Sequence, residues 1–147
     1  MTSPNLLKLQ AKDPEDVQVI SAVLQDAIAP VVDMIFRPDQ KDFVMVVHRF
    51  RSEGARDPVT GCHERVRCAV HVNGVSGAQV QGIDQARPGG ILDLLAVIPE
   101  NGNLHFIFAG GGKIRLKLDD WSMILEDFGE PWPTAKCPHH PDENAAT

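Results

Sequence analysis

Five basic side chains raise the first chemical question in this sequence. Arg65 and Arg67 stand in RVRCAV, and Lys113, Arg115 and Lys117 stand in KIRLKL. Alternate residues of an extended strand share one face, so each set projects from one side of its strand. Together they predict a basic stripe able to receive a small anionic ligand or an acidic segment of a partner protein. The competing reading is a solvated sheet face whose cations meet Glu and Asp on neighbouring strands.

Other residue groupings suggest chemistry and then fail on spacing. Cys62, His63, Cys68 and His71 are ligand types that zinc favours, yet Cys68 and His71 fall on opposite faces of a strand, and the chain holds no CxxC pair. Cys137, His139 and His140 form a second such group, in a Pro-rich tail. No metal and no cofactor is expected. Gly110-Gly111-Gly112 is followed by a strand pattern rather than the helix a phosphate cradle needs, so it reads as a hairpin turn. There is no Tyr and no nucleophile elbow, and catalytic residues stay unassigned. Asp33 and Asp93 could pair as acid and base, but they read more simply as polar positions at sheet edges.

The elements that must position these residues follow from composition and period. The chain has 147 residues, 43% of them apolar, with 14 Lys and Arg against 20 Asp and Glu, a formal net charge of −6. This suits one domain over 1–147, with a core at about 6–129, a mobile loop at 52–62 and an irregular tail at 130–147. The acidic balance argues against nucleic acid. No apolar run reaches the roughly 20 residues of a spanning helix, so no membrane is expected. Met1–Gln10 lacks a basic and apolar leader, and three Cys make an odd count, which together predict reduced thiols and a cytoplasmic location.

Asp13 as N-cap, Pro14 at the first helical position, and apolar residues at Val17, Ile20, Leu24 and Ala27 or Ile28 predict an amphipathic helix over 14–28. Beyond Pro30 the period changes from 3.6 to 2. Strands are predicted at 31–37, 42–50, 65–72, 78–83, 91–98, 103–109, 113–119 and 122–128. Asn73-Gly74 reads as a turn. VVDMIF from Val31 with FVMVV from Phe43 parallels ILDLLA from Ile91 with LHFIF from Leu104, which suggests an internal duplication. The expected fold is all-β dominated: an antiparallel barrel or sandwich of eight to nine strands with one N-terminal helix.

LKLQAKDPEDVQVISAVLQDA near the start, GIDQARPGGILDLLAV from Gly82, FAGGGKIRL from Phe108 and LEDFGEPWPT from Leu125 together resemble a bacterial family, domain of unknown function 2948. The resemblance spans about Leu7 to Pro141. It implies a small cytosolic bacterial protein and brings no activity, cofactor or site residue. The functional expectation is therefore a non-enzymatic binding or protein-interaction module, its partner docking on the basic stripe or on a sheet edge. The alternative is a small-ligand receptor or enzyme with a pocket inside the barrel, using His48, His105 or Asp93. A homo-oligomer is left open.

Overall fold

The structure, a computed structural model, describes residues 6–51, 64–84 and 89–133. The loop expected at 52–62 and the tail beyond 133 lie outside the described residues. In chain order the elements are β1 (Lys8–Ala11), α1 (Pro14–Leu24), β2 (Ala27–Pro30), β3 (Met34–Arg37), β4 (Asp42–Phe50), β5 (Glu64–Gln81), β6 (Ile91–Glu100), β7 (Asn103–Phe108) and β8 (Lys113–Pro133). Six strands close an antiparallel ring in the order β8-β5-β4-β2-β6-β7, and β7 returns to β8. The other two, β1 and β3, add to β8 and β4. The expected all-β fold with one helix is what forms.

The helix starts where its cap signals place it: the Asp13 side chain accepts the Asp16 N–H at 2.9 Å, and Val17, Ile20 and Leu24 are buried. It ends at Leu24, short of the expected 28. Asp26 takes a left-handed φ of 67° and its N–H donates to Leu94 O at 2.8 Å, turning the chain into β2. Ala27 and Ile28 continue the apolar stripe by helical count, yet they are needed as the strand that joins β4 to β6 and closes the ring. Tertiary closure overrides the local period here.

A second correction concerns Asn73-Gly74. The chain does not reverse there. β5 runs through as one strand of 18 residues, and β8 likewise merges the two strands expected at 113–119 and 122–128, extending to Pro133 through the start of the expected tail. Asn73 pairs with Ser122 and Val75 with Leu118, so three β8 residues face Gly74 and the two-stranded ribbon turns a corner. Gly74, at φ +79°, lies so close to β8 that a Cβ would stand 2.5 Å from Asp119 O. Only glycine fits this approach. The closed ring buries Met45, Val47, Val70, Leu94, Leu104, Phe106, Leu116, Met123 and Leu125 in one core.

The two suggested repeats form similar meanders, β3-β4-β5 and β6-β7-β8. Their prolines occupy different places: Pro38 is in the turn after β3, whereas Pro99 sits inside β6 opposite Leu104. The triple glycine forms the β7–β8 hairpin turn, where the Phe108 N–H donates to Gly112 O at 2.9 Å.

One charged pair lies in the interior. Arg49 and Asp127 face inward from β4 and β8, with side-chain exposures of 1% and 0%. Arg49 Nε and Nη2 donate to the two Asp127 oxygens at 2.7 and 2.5 Å, and the Leu7 N–H adds a third bond at 2.9 Å. Burial raises the Asp127 pKa, but these donors outweigh it and hold the carboxyl below the usual range. Beside it, burial and the Asp127 charge push the Cys68 thiol well above its ordinary value, so Cys68 stays a neutral core residue.

A candidate anion-binding face on β8

Lys113, Arg115 and Lys117 alternate with the buried Ile114 and Leu116, so all three point outward from the first part of β8. That part is the middle strand of a trio. Across on β5 the three face Gln81, Gln79 and Gly77, and across on β7 they face Ile107, His105 and Asn103. No carboxylate occupies a cross-strand position on either side. Among the described residues none of the three makes an ion pair. The Arg115 guanidinium donates to Gln79 Oε1 and so lies across β5. Two open hollows of about 420 Å³ each flank it: Gln79, Gln81, Lys113 and Arg115 line one, and Gly77, Asn103, Arg115 and Lys117 line the other.

His105 is the covered floor of this face. Its residue exposure is 8% and its Nδ1 has no hydrogen-bond partner. Burial lowers its pKa, the charges of Lys113 and Arg115 lower it further, and Glu100 opposes them. The imidazole is therefore neutral at neutral pH. The face holds three cations, the amides of Gln79, Gln81 and Asn103 and an uncharged ring, which suits carboxylate or other anionic groups held by charge and hydrogen bonds.

The other two members of the expected stripe are elsewhere. Arg65 is a correction. It keeps the row of Arg67, since β5 pairs with β4 in unbroken register, Arg65 with Phe50 and Arg67 with His48, but it is buried there, donating from Nη1 to His48 O at 3.0 Å and Asp26 O at 3.3 Å. Its guanidinium also stands 5.7 Å from the Phe50 ring centre. Arg67 is exposed but lies at the far end of β5, opposite Phe128, with its guanidinium 5.9 Å over the Trp132 ring. Trp132 also meets the His48 ring edge-on at 5.3 Å. Burial, with help from Arg67, lowers the His48 pKa. The stripe thus resolves into one three-cation cluster and one cation stacked on an aromatic ring.

The family profile described as "Protein of unknown function (DUF2948)" matches residues 7–140. The chain belongs to this family. No curated protein and no solved structure matches it. Membership in DUF2948 assigns no residue a role, so the site rests on geometry alone.

His48, Asp93 and His105, proposed for an internal pocket, are not brought together. All three sit on outward positions, His48 and Asp93 separated by Ile28 of β2, while inward positions are filled by Phe106, Leu104 and their neighbours. Asp33 is in the 3-10 turn Val31–Asp33, whereas Asp93 is on β6. His71 Nε2 donates at 2.8 Å to the Asp42 carboxylate, which also takes a two-pronged bond from Arg37. Among the described residues no group of three His, Cys, Asp or Glu is placed to hold a metal; Cys62, His63, Cys137, His139 and His140 lie outside them. No helix there is long and apolar enough to cross a membrane.

Gln79 and Gln81 were missed as site residues. Their alternation with Ala78 and Val80 shows that they share a face, but only the pairing of β5 with β8 shows that this face is the one carrying Lys113 and Arg115.

Proposed function

We propose that this protein is a non-enzymatic binding module whose β7–β8–β5 face takes up a carboxylate-rich segment of a partner protein. One observation carries the reading: the neighbours across from Lys113, Arg115 and Lys117 are amides, an imidazole and apolar groups instead of Asp or Glu. Cations left without counter-charges set up a local positive potential, which steers an acidic partner despite the net charge of −6 over the whole chain. The Gln79 and Gln81 amides and Asn103 supply further donors for carboxylate oxygens. The proposed setting is the cytoplasm, where the buried Cys68 thiol stays reduced.

The test is binding of a fluorescein-labelled decaglutamate peptide, read by anisotropy at low and high salt. Replacing all three cations, Lys113→Gln, Arg115→Gln and Lys117→Gln, removes pairs worth about 0.2–1 kcal/mol each, which corresponds to a loss of roughly tenfold in affinity. Raising salt weakens the parent and leaves the variant nearly unchanged. Equal affinity of parent and variant overturns the proposal. Citrate as competitor separates the sources: if it displaces the peptide at equal carboxylate concentration, the ligand is a small anion instead.

A further inference from the structure

Among the described residues, two stretches of strand edge in the ring lack a second strand, and the fold treats them differently. Beyond Leu94, β6 has no partner on its β2 side. There α1 packs over it, and Ser21 Oγ accepts the Val97 N–H at 2.9 Å. On the opposite side β5 is paired with β4 only as far as Asn73, and Val75 N donates to Lys41 O at 2.8 Å. From Ser76 to Gln81, no strand among the described residues pairs with the edge of β5 that faces away from β8. The segment SGAQVQ carries no Lys, no Pro and no inward charge, and its one irregularity, a register shift at Ser76, lies at its start, so the devices that ordinarily block such an edge are missing from Gly77 to Gln81.

Across the opening stands β3, and between the two strands runs an apolar groove of about 100 Å³ lined by Met34, Phe36, Ala78, Val80, Ile83 and Ile114, among others. Val80 is 40% exposed there. We infer that the acidic partner segment binds as an added β-strand on the Ser76–Gln81 edge, with apolar side chains in this groove alternating with carboxylates facing Arg115 and Lys113. This rests on the function proposed above and deepens it.

The alternation of β5 itself dictates the pattern. Ala78 and Val80 turn to the groove, while Gln79 and Gln81 turn to the side that carries Arg115 and Lys113. An added strand repeats that period of two. Its backbone would lie about 4.8 Å from β5 and so roughly 10 Å from β8, a span that an extended Arg and a Glu side chain bridge together. The Arg115 guanidinium already covers the first half of that span by bonding Gln79. Main-chain bonds would supply affinity, and the two-sided alternation would supply specificity.

The experiment selects from a random nonapeptide phage library against the immobilised full chain, then measures the synthetic consensus by anisotropy. The expected consensus alternates Asp or Glu with Val, Ile, Leu or Phe over five or six positions. Its affinity should fall about tenfold for Val80→Ser, and for a peptide whose edge-facing amides are replaced by esters, with the opposite set of esters tolerated. A consensus that is acidic without alternation, insensitive to Val80→Ser and to esters but lost in the triple Gln variant, overturns the added strand and leaves the acidic-partner reading standing. A consensus without acidic residues, or no enrichment, overturns the inference; in the first case the function proposed above falls with it. Sedimentation of the full chain as a dimer that Val80→Ser dissociates would assign the edge to a second copy and likewise overturn the inference.

Discussion

Removing either partner of the Arg49–Asp127 pair should be the most damaging polar substitution in the barrel. Both side chains are at most 1% exposed, so Asp127→Asn puts a neutral amide where Arg49 Nε and Nη2 both bond a carboxylate. Breaking such a pair from one side costs about 3–5 kcal/mol. Arg49→Met should cost a similar amount, and Arg49→Met with Asp127→Leu should cost less than the two single changes added together, because neither charge is then stranded. The pH dependence carries the sign. In the parent, Asp127 lies below its ordinary value, so its contribution is complete above the unfolded-state value of about 3.9 and is lost as pH falls through the lower native value. Arg49→Met removes the guanidinium whose bond and charge oppose burial at this carboxyl, so the native value rises from that of the parent and the loss of stability on acidification shrinks. Urea unfolding between pH 2 and 8, followed by the fluorescence of Trp121 and Trp132, reads both effects. Additive single-variant costs, or a variant whose stability rises with pH as the parent's does, would refute the reasoning.

Gly74→Ala should destabilise by about 2–5 kcal/mol, combining left-handed strain of about 1–2 with a close approach to Asp119 O of about 1–3 kcal/mol; an unchanged melting temperature would remove the corner from the account. His105→Leu should gain stability relative to the parent as pH falls below about 6.5, because the lowered native pKa of His105 makes protonation favour the unfolded chain there; parallel stability profiles of variant and parent over pH 5–8 would contradict this. Arg67→Glu should change Trp132 emission, since the two side chains stack, and leave decaglutamate binding within about twofold, because Arg67 stands at the far end of β5; a tenfold loss would restore the five-residue stripe.

Legibility in the sequence follows the range of the forces involved. The start of α1 was readable because Asp13 and Pro14 act on the turn beside them, and the strand over 113–118 was readable because burial on one face imposes a strict alternation. Both hairpin turns, at 38–41 and 110–112, are likewise local. The corner at Gly74 was not readable. A residue at positive φ serves a reversal and a bulge equally well, and only the partner strand, about 45 residues further on, decides between them. The same holds for Arg65, whose period-two position is outward as expected but is covered by the His48 and Asp26 carbonyls and the Phe50 ring, which only the paired strands bring to it. Arg49 and Asp127 are 78 residues apart, and nothing near either one announces a buried pair. For the candidate face, the cations were visible and their neutral neighbours were not, since cross-strand identity exists only once the strands have paired.

The most direct measurement of the central claim is a ¹⁵N–¹H titration of the full chain with decaglutamate at low salt, followed residue by residue. Saturable shifts should concentrate at Gly77, Gln79, Gln81, His105, Lys113, Arg115 and Lys117 and be reversed by added salt, with the region around Arg67 and Trp132 undisturbed. Shifts centred on Arg67 and Trp132, or no shifts at millimolar peptide, would contradict it.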